Sequence, residues 1–330
     1  MTQGPGASLP IGVYRTPQPD LAAVQAYEQF IGRQVNYVLA FMADTPATWA
    51  QFETAVLQSA TNDGPGSRTA TEWAPLLGGR TLMLGVPACA MGTTWAQEAA
   101  GANNQHWAAL ARNLVAAGLG NCVLRIGREF NGSWYHWQVN TGNVAAYKVG
   151  YAGAVAVMRD AGWTGTFMWN PYLGQGTFGP GAGAEDAYPG DHVVDVIGVD
   201  VYDGNWTGVY PANPDSATTA QQQQVWDGML TEWDSLRGWY NLARSHRKPL
   251  AFPEWGLRLW KDGEATYHGG GDNAVLVAGM AQFIQGCGAW MHAMWEDHNM
   301  GVSDPDNSSG RLCAVPMARA AFLSAFGTTA

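Results

Sequence analysis

Glu129 in LRIGREFNGSWYHW and Glu254 in KPLAFPEWGL each close an apolar, strand-like run, and each is followed by a loop that carries tryptophan. Two carboxyls in aromatic surroundings point to sugar chemistry. One carboxyl protonates a leaving oxygen while the other attacks or stabilises an oxocarbenium-like centre, and sugar rings lay their apolar faces on indoles. The two glutamates stand 125 positions apart, so this chemistry needs a fold that brings the ends of two distant strands to one place.

The rest of the chain supplies such a fold. β-rich runs alternate with helical periodicity from end to end, the pattern of an α/β architecture. Eight strands are predicted: IGVYR near 11, VNYVLAFMA near 35, TLMLGVP near 81, NCVLRIG near 121, GTFMWNP near 165, VVDVIGVDVY near 193, PLAFPEW near 249 and GAWMHAMWE near 288. Between them, Leu21, Val24, Tyr27 and Phe30/Ile31 share one helical face, with Asp20 as N-cap and Gly32 as terminator. Trp107, Leu110, Leu114 and Val115 form a second stripe ended by Gly118, and Tyr147, Tyr151, Val155 and Met158 a third ended by Gly162. One more helix is predicted over 221–245, with QQQQ as its polar start. No linker or shift in composition divides the chain, so residues 1–330 read as a single-domain (β/α)8 TIM barrel.

In such barrels the catalytic groups come from the carboxyl ends of the strands, whose βα loops converge on one mouth. Glu129 ends the fourth predicted strand and Glu254 the seventh, so barrel closure removes their separation. Strand alternation places Arg125, Gly127 and Glu129 on one inward face, with Gly127 leaving room beside the acid. Tyr202, at the end of the sixth strand, is placed to donate its hydroxyl to Glu254, and Asp200 shares its parity. The two carboxyls must differ in protonation at one pH, so their surroundings are expected to push their pKa values apart.

RIGREFNGSWYHW, AYPGDHVVDVIGVDVY and KPLAFPEWG resemble the motifs of glycoside hydrolase family 26, within the clan of barrel glycosidases that carry their two carboxylates on strands four and seven. The resemblance implies Glu129 as general acid/base and Glu254 as nucleophile of a retaining double displacement. It gives Tyr202 the same role as the strand argument, and it matches Arg125, four residues before the acid, and Trp134, five beyond it. Trp295 resembles the tryptophan that these barrels set under the sugar at the cleavage point. Asn170 is a candidate for sugar hydroxyls, and Trp137, Trp169, Trp206 and Trp255 are candidate stacking platforms. One position departs from the pattern: where the family carries histidine before the acid/base, this chain has Arg128, a permanent cation with a planar fork of donors. The position contacts hydroxyls near the reacting carbon in related barrels, so the departure bears on substrate identity. β-Mannan is the favoured substrate, with β-1,3-xylan, mixed-linkage β-glucan or an acidic polysaccharide as alternatives, and a catalytically silent carbohydrate-binding barrel as the rival from another class.

Composition narrows the partners to sugars. The chain is 47% hydrophobic and 13% charged, yet holds 16 Trp and 12 Tyr, more rings than a packed interior requires. A net charge of -10, with Lys148, Lys248 and Lys261 the only lysines, argues against nucleic acid. No run approaches the roughly 20 apolar residues of a membrane span, and MTQGPGASLP lacks the features of a signal peptide; export is nonetheless the compartment that a polysaccharide substrate favours. Cys89, Cys122, Cys287 and Cys313 are too scattered for a CxxC pair and read as free thiols, with a disulfide between any two favouring an exported protein. HExxH, Walker and GxSxG signatures are missing, and DPDNSSG (304–310) lacks the downstream glutamate of a calcium loop, so neither metal nor organic cofactor is expected. The Gly-rich stretch 174–191 reads as a connector or a cleft-shaping loop. A monomer is expected.

Overall fold

A computed structural model describes residues 9–15, 21–58, 65–179, 182–204, 208–211, 216–231, 234–258, 269–296, 302–303 and 315–328. Its strands are β1 (Ile11–Tyr14), β2 (Tyr37–Phe41), β3 (Val56–Gln58), β4 (Pro65–Thr69), β5 (Thr81–Val86), β6 (Val123–Ile126), β7 (Thr166–Trp169), β8 (Val196–Gly198), β9 (Val201–Asp203), β10 (Leu250–Leu257) and β11 (His292–Trp295). All but β3 and β4 join one parallel sheet in the order β11-β1-β2-β5-β6-β7-β8-β10-β9, which the β10–β11 pairing closes into a barrel. β8 and β9 are two halves of one stave, both paired with β10, so eight staves close the (β/α)8 TIM barrel.

Alternation along each strand produces two apolar layers. Leu39, Phe41, Met83, Val123, Met168, Val196, Ala251, Met291 and Ala293 pack together inside the barrel, while their neighbours Leu84, Leu124, Ile126 and Phe252 join the larger core under the helices. Each of these side chains larger than alanine contributes about 1.5–3 kcal/mol by leaving water, and this fixes which residues of a strand reach the lumen. The helix Val144–Asp160 shows the same logic at helical spacing: Tyr147, Tyr151, Ala154, Val155 and Met158 are buried on one face. Gly150 on that face lets the helix Trp95–Ala99 approach, since a Cβ there would lie 2.8 Å from Glu98 Cβ.

The remaining longer helices lie at Leu21–Ile31, Asn104–Ala116, Thr219–Thr231, Leu236–Ser245, Ala274–Cys287 and Pro316–Phe326, with the short helices Trp49–Glu53 and Ala70–Trp73 in the segment between β2 and β5. The first three stripes read from sequence are helices, although Val115 is 40% exposed and lies off its buried face. Asp20, its expected cap, lies outside the described residues, as do Trp206, Cys313 and 304–310. The predicted helix over 221–245 is two helices. Asp234 has φ +48°, and Ser235, in extended backbone, accepts from Gly238 N to cap the second helix. β3 and β4 form an antiparallel pair that sequence reading did not anticipate, because the segment TNDGPGS before and into β4 carries turn residues rather than β-branched ones. Cys89, Cys122 and Cys287 are free. No helix among the described residues is long and apolar enough to cross a membrane.

Candidate active site

At the carboxyl end of β6 the regular strand stops at Ile126, and the chain turns through two left-handed residues, Gly127 (φ +57°) and Glu129 (φ +48°). The expected inward placement therefore holds for Arg125 and Glu129 but not for Gly127, whose missing Cβ would meet Ala88, Trp137 and Trp95 of the outer core, and alternation accounts only for Arg125. The turn sends Arg128 and Glu129 together into the mouth, which simple alternation forbids. A left-handed backbone costs a non-glycine residue on the order of 1–2 kcal/mol. Here Glu129 N donates to Asn170 O at 2.7 Å and Glu129 O accepts from Gly132 N at 2.8 Å, fixing the turn from both sides.

Glu254 reaches the lumen by a different device. Phe252 pairs with His292 and Trp255 with Met294, so three steps along β10 oppose two along β11. This is a β-bulge, and Pro253, which has no N–H to give the ladder, sits in it. Phe252 and Trp255 both pack in the outer core, while Pro253 faces the barrel interior beside Gly198 and Met168. The extra residue leaves Glu254 free to turn inward as well.

The two turns converge. One oxygen from each of Glu129, Asp200 and Glu254 falls within a group whose members are all within 4.8 Å of one another. Arg125, fully buried, binds Asp200 Oδ2 at 2.7 Å and Glu254 Oε1 at 2.6 Å, and its Nε donates to Asn170 Oδ1 at 2.5 Å. Tyr202 donates its hydroxyl to Glu254 Oε2 at 2.8 Å. Glu254 thus has a guanidinium on one oxygen and a phenol on the other. Among the described residues, Glu129 has only a neutral donor, Trp134 Nε1, on Oε2 at 2.9 Å.

These partners separate the two carboxyls chemically. Burial, followed by the negative charge of Glu254, raises Glu129 to about 7, against the pull of Trp134, Arg128 and Arg125. Burial also holds Asp200 well above the usual carboxylate range, although Arg125 opposes the shift. The same causes raise Tyr202, keeping it a donor. The three carboxylates are the one group among the described residues where acidic atoms converge as they would on a cation. Arg125 already supplies a positive charge to two of them.

Arg128 lies in an aromatic box. Its guanidinium sits 4.5 Å from the centroid of Phe41, 4.6 Å from Tyr135 and 5.5 Å from Trp137, while Nη2 donates to Asp44 Oδ1 and Tyr135 Oη, both at 3.0 Å. Burial works against its charge, but Asp44, Tyr135 and the glutamates outweigh it and hold Arg128 above the usual arginine range.

The other candidate residues divide by exposure. Trp134 is 55% exposed and leans on Tyr172 at 4.8 Å between ring centroids. Trp295 is partly exposed and stacks on Tyr14 at 3.8 Å, near Phe41 and Tyr202. Trp137, Trp169 and Trp255 are fully buried and have no face to offer a sugar. Trp137 instead stacks on Tyr135 and donates Nε1 to Arg128 O at 2.9 Å, bracing the turn that carries the acid. Asn170 is likewise a brace: its amide is occupied by Arg125, Pro171 O and Gly198 O, so the expected contact with sugar hydroxyls does not hold.

Asp44, Tyr135, Tyr172 and Asn131 were not anticipated from sequence. Asn131 ties the loop after β6 to the loop after β7, donating to Tyr172 O and Gly174 O and accepting from Tyr172 N. Thr177 adds hydrogen bonds to Asn131 O and Val139 O, so the first part of the Gly-rich stretch walls the cleft beside Glu129. The strings NG after the acid and AD after β2 were the available signals, each too common to stand out.

The family model described as glycosyl hydrolase family 26 matches residues 104–217, a segment that includes Arg125, Arg128, Glu129 and Tyr202. Over that segment the chain resembles glycosyl hydrolase family 26. The match supports a glycosidase with a polysaccharide substrate. The barrel is similar to that of a family 26 β-mannanase from Bacteroides ovatus, at 14% identity and TM-score 0.58, over 96% of this chain and 88% of that one. A modular endo-β-1,4-mannanase from Cellulomonas fimi gives 17% identity and TM-score 0.59 over 98% and 74% of the two chains. A Bacillus subtilis mannanase gives 16% and 0.55 over 94% and 83%. At these identities the likeness is one of fold. No curated protein matches the chain in sequence.

Proposed function

We propose that this protein is a family 26 retaining endo-β-glycoside hydrolase, with β-mannan as its favoured substrate and residues 1–330 forming one catalytic barrel domain. In this reading Glu254 attacks the anomeric carbon while Glu129 donates its proton to the departing glycosidic oxygen. A covalent glycosyl-enzyme forms and the leaving chain departs with a free hydroxyl. Glu129, now ionised, then takes a proton from water as that water displaces Glu254, regenerating both carboxyls. Arg125 and Tyr202 bind the two oxygens of Glu254 and orient it for attack. Trp295 and Trp134 offer ring faces to sugars on the two sides of the cleaved bond.

The observation that carries the proposal is the convergence of Glu129 and Glu254, with oxygens within 4.8 Å and unlike partners. Retaining glycosidases hold their carboxyl groups about 5–5.5 Å apart, because direct attack leaves no room for a water between nucleophile and sugar. Mannan is favoured because the structural neighbours named above are described as mannanases.

The test is a panel of defined polysaccharides, β-mannan, β-1,3-xylan and mixed-linkage β-glucan among them, offered to the wild type and to Glu129→Gln and Glu254→Gln. The proposal expects internal cleavage of at least one glycan by the wild type and loss of turnover in both variants. Equal binding by all three proteins with no turnover by any would replace it with a carbohydrate-binding barrel.

A further inference from the structure

We infer that Asp44, paired with Arg128, is a specificity-determining residue that accepts a hydrogen bond from a hydroxyl of a neutral sugar near the reacting centre. The inference rests on the glycosidase reading and deepens it by naming the substrate class. It runs against the first expectation raised by Arg128, that an arginine beside the acid receives an acidic sugar.

Arg128 is poorly suited to receive an anion. Its charge is already met by Asp44 at 3.0 Å, its faces are shared among Phe41, Tyr135 and Trp137, and only 3% of the residue is exposed. A uronate carboxylate arriving there would approach Asp44 and the two glutamates as well, with like-charge repulsion in a partly dehydrated mouth.

Asp44 has what Arg128 lacks. It follows β2 at the mouth of the barrel, and its side chain is 22% exposed where that of Arg128 is 3%. Each of its oxygens has one protein partner, Arg128 Nη2 on Oδ1 and Gln58 Nε2 on Oδ2 at 3.3 Å. A carboxylate has about four acceptor sites, so two remain. Arg128 fixes its rotamer from below. Arg128 Nη1 is buried and out of reach, so the open capacity of the pair is the acceptor capacity of Asp44. A sugar hydroxyl can donate to that acceptor, whereas an ionised carboxylate group can only accept and has nothing to offer it. The box also places the reader close to the chemistry: Tyr135, which binds Arg128, feels the charges of Asp44, Glu129 and Glu254 alike.

A cycle that pairs a protein change with a substrate change tests the contact. Asp44→Ala and wild type, both in a Glu254→Gln background that blocks turnover, are titrated with a neutral β-linked oligosaccharide and with its monodeoxy analogues. The inference expects one analogue to bind the Asp44 form about tenfold or more weakly than the parent, and the Asp44→Ala form to lose little further at that position. Asp44→Asn, which keeps an acceptor for Arg128, is expected to fall between. Losses that add at every deoxy position would make Asp44 a structural support only and overturn the inference. Tighter binding of a uronate-containing oligosaccharide than of its neutral counterpart would also overturn it. Because the readout is binding, the contact is judged separately from whether the wild type turns over any glycan.

Discussion

Arg125 and Glu254 meet at 2.6 Å inside the barrel, and the same guanidinium holds Asp200 at 2.7 Å and Asn170 at 2.5 Å. One fully buried cation from the fourth stave therefore positions a carboxylate from the seventh. The lumen end of β6 contributes to both halves of the site: Arg125 fixes Glu254, and the turn four residues later delivers Glu129.

Arg125→Lys keeps the charge but loses the planar fork whose Nε binds Asn170 while Nη2 meets both Asp200 and Glu254. The expected outcome is a fall in kcat of about a hundredfold, with a smaller change in KM, because Glu254 is misplaced rather than removed. Removing one partner of a buried ion pair also costs about 3–5 kcal/mol when nothing replaces it. Arg125→Met should therefore unfold at markedly lower denaturant than Arg125→Lys, as urea titration followed by circular dichroism would record.

The pH dependence follows from Glu129. If it is the acid, activity needs its protonated form, so kcat/KM should fall as pH rises through about 7. The Trp134 hydrogen bond pulls this group down, so Trp134→Phe should move that limb to higher pH. A pH profile of the variant against wild type on one soluble substrate checks the direction; movement to lower pH would contradict the assignment.

Stability should carry an imprint of the same sign. Glu129 is raised above its unfolded value near 4.3, so between about pH 4 and 7 the folded state binds more protons and stability falls as pH rises. Glu129→Gln removes that charge, and the left-handed turn is unchanged. It should be more stable than wild type by up to about 3 kcal/mol at pH 8, with the gap closing toward pH 4. Parallel urea titrations at the two pH values measure it.

Much of this arrangement was legible in the chain. All eight staves were, because the apolar runs alternate and glycines at 32, 118 and 162, all at positive φ, end the intervening helices. The convergence of Glu129 and Glu254 followed from their places at two strand ends. What escaped was local backbone irregularity. A period-two reading assigns Glu129 its inward face for the wrong reason and cannot account for Arg128, since the strand ends before either residue. It also has no place for the bulge at Pro253, which is set by pairing with β11 rather than by anything local. Tryptophans were over-assigned to the cleft for a related reason: an indole reads alike whether it braces a turn, as Trp137 does, or faces solvent, as Trp134 does.

That distinction is itself testable. Trp137→Phe removes the donor to Arg128 O and part of a buried ring. It should cost about 1–3 kcal/mol of stability and lower kcat through the displaced acid. KM for long oligosaccharides should change little, as expected of a brace. A rise in KM without loss of stability, read from kinetics and melting together, would return Trp137 to the cleft.

The central claim is that Glu254 attacks the sugar directly while Glu129 supplies the proton. Proton NMR of the hydrolysis of a defined β-linked oligosaccharide, recorded before the product mutarotates, reads the stereochemistry at the cleaved carbon. The account predicts that the β-anomer appears first and the α-anomer grows in later. Initial release of the α-anomer would mean that water, not Glu254, attacks the sugar, and would contradict it.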